Sequence, residues 1–166
     1  YHGSKLSTKL KIMGVDLAVI GEKEPNQCND EVVSYVEPSR GVYKKLIVRE
    51  GKLAGAILLG TISLFLLPVE LYQGTARGNV SIIVRARGGL PPVEVERMIT
   101  RPIEESVSTV SHLKSMYSNS REAESRVTLS FEPGVDMKFA GLEVREKFSR
   151  VKGLLPDEIE KPVIAN

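Results

Sequence analysis

Few side chains in this chain are suited to bond-making, and their spacing decides what remains. A single cysteine, Cys28, excludes an internal disulfide and any CxxC site. No histidine stands near it in sequence, so it reads as a loop cysteine and not as a reactive thiol. His2 and His112 are far apart and lack ligand spacing; both are expected at surface or edge positions, with no metal. Glu94 and Glu96, and Glu104 and Glu105, are carboxylate pairs on a helical stretch. Residues one or two apart on a helix do not face each other, so neither pair is an acid/base dyad. A solvated face with Arg97 and Arg101 as partners is the expectation. Gly88-Gly89 leads into Pro91-Pro92 and is not a GxGxxG phosphate cradle. No Ser/His/Asp or Cys/His constellation stands out. One polar row remains: Arg126, Thr128 and Ser130 alternate with Val127, Leu129 and Phe131 along a strand. Such a row can line a path for a ligand or simply face water, since alternation produces a polar face in any half-buried sheet.

The elements that position these residues fall into two sets. In the first part, residues 9–20 alternate loosely and are interrupted at Gly14. Residues 31–36 (EVVSYV), 42–49 and 53–59 read as further strands, with a tight turn at Glu50-Gly51-Lys52 and glycine at positive φ. Taken together they predict an antiparallel β-meander. Residues 54–69 then form sixteen consecutive uncharged positions. As a helix they would span about 24 Å, against roughly 30 Å of bilayer hydrocarbon. That is short for a membrane span and long for a strand, so a buried strand with a helical turn stands beside the membrane reading. Pro68 would end such a helix, with Glu70 and Tyr72 at the water interface.

The second part is more regular. Residues 79–85 (NVSIIVR) form a strand. Pro91 and Pro92 open a helix whose apolar face is Val95, Ile99, Ile103, Val107 and Val110, and Pro102 should kink or divide it. Residues 113–118 and 125–132 are strands around a polar turn at 118–124. Asp136 caps a helix with Ala140, Val144, Phe148 and Val151 on its inner face, ended by Gly153 and Pro156. The order β-α-β-β-α is a split βαβ unit of ferredoxin-like type whose last strand would lie beyond Asn166. The fold class is therefore α+β. The domains are residues 1–56, a β domain that the first resemblance below makes incomplete; 57–72, an apolar segment that is a buried strand with a helical turn or, as the second resemblance implies, the end of a transmembrane helix; and 73–166, the incomplete ferredoxin-like subdomain.

Composition narrows function. The 166 residues are 42% hydrophobic and 27% charged, values of a globular chain. A net charge of +2 with no basic cluster gives nucleic acid no electrostatic case. Residues 1–5 lack the organisation of a signal peptide, and a chain opening on Tyr1 reads as an internal piece.

Two resemblances attach to these residues. The strings STKLKIMGVD at 7–16, RGVYKKLIVR at 40–49 and KLAGAILLG at 52–60 resemble, in order, the C-terminal domain of FAD-dependent NAD(P)H reductases of the nitrite-reductase and rubredoxin-reductase type. That resemblance implies a cytoplasmic auxiliary domain of an oxidoreductase, with FAD and NAD(P)H held by domains this chain lacks and no cofactor of its own. The strings LPVELY at 67–72, VER at 95–97, TRPIEE at 100–105, TLSFE at 128–132, GVD at 134–136, VREK at 144–147 and LPD at 155–157 resemble the start of a resistance-nodulation-division (RND) efflux pump, over residues 57–166. This longer resemblance implies a proton-driven homotrimer in the bacterial inner membrane, with lipid at 57–72 and a periplasmic porter part. A periplasmic adaptor and an outer-membrane channel would be its partners. It places Arg126, Thr128 and Ser130 beside the substrate path. The chain departs from the pump pattern at Arg87-Gly-Gly-Leu90, where the family has Tyr-Pro-Gly-Ala and a Ser or Asp cap, so a cap bond worth about 1 kcal/mol is lost. The relay carboxylates and lysine of the family lie in later helices, so no transport is expected of this chain alone. The two readings demand opposite sides of a membrane, and a third reading makes the chain a composite joined near residues 56–61.

Overall fold

The computed structural model describes residues 7–12, 15–60 and 78–165. Among them, strands are β1 (Ser7–Ile12), β2 (Val15–Gly21), β3 (Asp30–Glu37), β4 (Val42–Arg49) and β5 (Lys52–Leu59). The second part holds β6 (Asn79–Arg85), β7 (Leu113–Arg121), β8 (Glu124–Phe131) and β9 (Val163–Ala165). Helix α1 (Pro92–Val95), a π turn (Glu96–Thr100) and α2 (Arg101–Val107) follow one another without a break, and α3 is Met137–Val151. The α+β class holds: the described residues are mostly antiparallel sheet with helices against it.

All nine described strands join one sheet, in the order β1-β2-β5-β4-β3-β7-β8-β6-β9. The expected meander is corrected here. β3, β4 and β5 do run as consecutive hairpins, but β2 pairs with β5 and not with β3. Four strands in this arrangement make a Greek key. Two glycines allow the crossing. A Cβ on Gly55 would stand 1.8 Å from the Glu22 carbonyl oxygen, and one on Gly21 would stand 2.3 Å from that of Ala54. Glu22 N–H donates to the Ala54 carbonyl at 3.1 Å, so backbone rests directly on backbone. The hairpin at Glu50 and Gly51 has both residues at positive φ (50° and 73°), as that tight turn requires.

In the second part each strand alternates as expected. Val80, Ile82, Val84, Val127 and Leu129 are fully buried and meet Ile99, Ile103, Val107, Val144 and Phe148 from the helices. Burying each such aliphatic side chain is worth about 1.5–3 kcal/mol, which is what holds α2 and α3 to the sheet. At Pro102 two short α-helices are held end to end through the π turn, as expected. The proline has no N–H and its ring crowds the carbonyl four residues back; the helix answers with a π turn in which Arg101 N–H reaches the Glu96 carbonyl. Pro91 stands at the N-cap of α1 with no side-chain cap bond, as its sequence anticipates.

Two boundaries move. The polar stretch 118–124 is strand almost throughout, with the turn confined to Glu122 and Ala123. Polar residues read as a turn here because their partners lie elsewhere in the chain. The last strand, placed beyond Asn166 by sequence, begins inside the chain: Val163–Ala165 pairs antiparallel with residues 81–83 of β6. Three residues are too few to show an alternating pattern.

The apolar run divides. Its residues through Leu59 lie in β5, between β2 and β4, with Leu58 fully buried. Residues 61–72, the remainder of the expected membrane exit, lie outside the described residues. Among the described residues no helix is long and apolar enough to cross a membrane.

Candidate functional site

Residues paired across an antiparallel ladder share a face, so register places the side chains. Arg126, Thr128 and Ser130 lie on the face of the sheet opposite the helices. Thr128 stands between Ser81 of β6 and Tyr117 of β7, Arg126 is paired with Asn119, and Ser130 with Asn79 and Ser115. The structure thus assembles a polar patch across three strands. Its members differ in exposure. Thr128 is buried, and its hydroxyl lies 3.2 Å from that of Ser81. The Arg126 side chain is half exposed and reaches Glu124 at 3.4 Å. Ser130 is half-buried.

Among the described residues, two polar atoms on this patch are buried without a hydrogen-bond partner: Asn79 Nδ2, a donor, and Asn119 Oδ1, an acceptor. The Asn119 amide nitrogen is occupied, donating to Glu31 at 2.7 Å, and Arg121 donates to the same carboxylate at 2.9 Å. Burial, and then the Glu31 charge, raise the Tyr117 phenol, which keeps it protonated. Hydroxyls, amides and one guanidinium can hold a ligand. They provide no nucleophile paired with a base, so the patch suits binding and not covalent chemistry.

A second polar cluster, not anticipated from local pattern, occupies the other face, under α1 and α2. Glu96, expected in solvent, is buried at 8% exposure beneath Lys45 of β4, itself at 4%. The Lys45 ammonium donates to Glu96 at 2.6 Å, and Arg101 reaches the same oxygen at 3.2 Å. Glu104 points inward to Ser34 of β3 and Ser118 of β7. Its carboxyl is pushed up by burial, with the two hydroxyls opposing the shift. Tyr43 is raised as well, by burial and then by Glu104 and Glu96. Thr100, Ser120 and Ser125 complete the layer, the Thr100 hydroxyl lying 2.7 Å from each serine. Of the expected arrangement, Glu105 is exposed and Arg101 is a true partner; Glu96 and Glu104 are corrected from solvated to largely enclosed. Their signal was long-range: Lys45, Ser34 and Ser118 lie 51, 70 and 14 residues away.

The remaining candidates stay apart. Cys28 is exposed. His112 is exposed, 3.7 Å from Glu132, beside a surface cleft of about 540 Å³ that Asp136, Phe139 and Glu143 also line. His2 lies outside the described residues. Among the described residues no group of three or more His, Cys, Asp or Glu is set to hold a metal. Gly88 and Gly89 have positive φ, but Pro91 and Pro92 remove backbone N–H groups at the helix entrance, where a dinucleotide phosphate would need them.

Comparison with known proteins finds two families, whose patterns overlap at residues 53–68. The C-terminal domain of rubredoxin NAD+ reductase matches residues 7–68. The nitrite reductase (NADH) large subunit of Escherichia coli is 38% identical over 107 residues, which cover 59% of this chain and 12% of that protein. Protein HelA of Legionella pneumophila is 34% identical over 103 residues, 62% of this chain and 10% of that protein. The nickel and cobalt resistance protein CnrA of Cupriavidus metallidurans is 30% identical over 105 residues, again 62% and 10%. The chain therefore spans about a tenth of the length of the curated relatives it matches. The AcrB/AcrD/AcrF pattern covers residues 53–166, more than half of the chain, and the chain belongs to that family.

Proposed function

We propose that residues 73–166 are a porter subdomain of a proton-driven RND efflux transporter, contributing the patch of Arg126, Thr128 and Ser130 to the substrate path and inactive alone. The observation that carries this reading is topological. β6, the α1–α2 rod, β7, β8, α3 and β9 follow one another, with strands in the order β7-β8-β6-β9 and the helices on one face, a ferredoxin-like arrangement. The unpartnered Asn79 and Asn119 atoms support a ligand-facing role, because a buried amide group without a partner is costly unless something else satisfies it. In this reading the assembly is a homotrimer in a bacterial inner membrane, with the porter part in the periplasm and an adaptor and outer-membrane channel as partners; lipid at 57–72 would require residues 57–59 to leave β5.

A hybrid tests it. Residues 78–165 would replace the aligned segment of CnrA, and nickel resistance of cells would be measured with hybrid abundance in the membrane as control. Retained resistance that falls on Arg126→Glu, at unchanged abundance, is the expected result. An abundant hybrid that confers none overturns the porter reading, and indifference to Arg126→Glu removes the residue from the path.

The match over residues 7–68 supports a second reading, an auxiliary C-terminal domain of an FAD-dependent NAD(P)H oxidoreductase. Recovery from a cytoplasmic fraction with a flavoprotein favours it, and residence in the membrane fraction favours the first. A genomic read across the codons for residues 45–75 distinguishes both from a composite of two genes.

A further inference from the structure

The two parts of the sheet, β1–β5 and β6–β9, meet at one ladder, where β3 pairs with β7 over five residue pairs, from Val32↔Ser120 to Val36↔Met116. At its centre Ser34 stands opposite Ser118, on the face beneath α2. Their hydroxyl oxygens are 2.6 Å apart. Glu104 Oε1 lies 2.8 Å from Ser34 Oγ and also contacts Ser118 Oγ. Three oxygens thus touch pairwise, and each contact needs a proton to be a hydrogen bond. With Glu104 ionised the triangle holds two protons, one on each serine. Whichever way the hydroxyls turn, one of the three contacts is then lone pair against lone pair. With Glu104 protonated there are three protons for three contacts, and the cycle closes.

We infer that Glu104 is a proton-operated latch: its neutral carboxyl completes a hydrogen-bonded ring joining Ser34 of the first part to Ser118 of the second, and its ionisation loosens the β3–β7 seam. The surroundings agree. From β4, Lys45 and Tyr43 face this layer; from the helical rod, Glu96 and Arg101; from β3 and β7, the two serines. Both cations are bonded to Glu96, so neither is devoted to Glu104. Burial raises the carboxyl above its usual 4.5. A carboxyl raised in the folded state stabilises the seam at low pH, and that stability is lost as pH rises from the ordinary glutamate range through the folded value.

The test is hydrogen exchange of the full chain between pH 5 and 8, corrected for intrinsic rates, with the β6–β8 ladder as internal reference. Protection of residues 32–36 and 116–120 should fall relative to the reference, by up to about tenfold for each unit by which the carboxyl is raised. Glu104→Gln carries both an acceptor and donors at this position without a charge, so its seam should stay protected and independent of pH. A wild-type seam that ignores pH, or one that falls equally in Glu104→Gln, overturns the latch. A second reading needs no variant: the ¹³C carboxyl resonance of Glu104 in the wild-type chain should titrate above 4.5, and a midpoint at or below that value also overturns it.

Discussion

Arg49 grips Asp30 through two nitrogens, at 2.6 and 2.9 Å, and reaches Glu22 and Asn26 from the same guanidinium. Asp30 also accepts from the backbone N–H groups of Asn26 and Gln27. The arginine bond, with the loop amides assisting against desolvation, lowers Asp30 from 3.8 to about 2. A carboxyl depressed in the folded state contributes stability that is complete above 3.8 and lost as pH falls through about 2. Acid unfolding followed between pH 5 and 1.5 should show that limb in the wild type, and Arg49→Ala should lower stability at pH 7 and flatten the limb. Thr100 makes a different demand. It is 1% exposed, and its hydroxyl serves Ser120 and Ser125, both as deeply buried. Thr100→Val keeps the shape and strands the two serines, so urea melts should show a loss of about 1–3 kcal/mol. Neither residue announced itself in sequence, because a buried serine or threonine reads the same as a loop one until its partner is known.

Elements set by local pattern were legible, and elements set by distant pairing were not. The 3.6-residue repeat of Val95, Ile99, Ile103 and Val107 is buried as a single face despite the π turn, and the 2-residue repeat of Val127, Leu129 and Phe131 lies under it. The patch at Arg126, Thr128 and Ser130 was readable for the same reason, since period 2 fixes a face once the apolar side is known. Nothing local to β2 says that it neighbours β5, and the meander was the natural expectation from chain order. Gly55 carries that hidden information. Gly55→Ala would drive a methyl into the Glu22 carbonyl, and overpacking of this kind costs about 1–3 kcal/mol. Amide exchange in that variant should rise first at residues 17–21 and 55–59, the β2–β5 ladder. Unchanged protection there would mean that the crossing loop yields instead.

For the molecule as a whole, one continuous sheet links segments that match two different families. Below the range where Glu104 ionises, heat should therefore unfold both in one step. Amide probes in β4 and in β6 should then give coincident midpoints, and separated midpoints would show two bodies merely tethered. The family patterns overlap across residues 53–68, and β5 gives that overlap a physical meaning. A segment hydrogen-bonded on both edges to β2 and β4 cannot at the same time be a helix in lipid, where every backbone group must be satisfied within the segment. The same eight residues can serve one destination per chain. Reading 57–72 as the end of a membrane helix therefore requires residues 57–59 to leave β5, and their departure would take from β2 and β4 the strand that joins them.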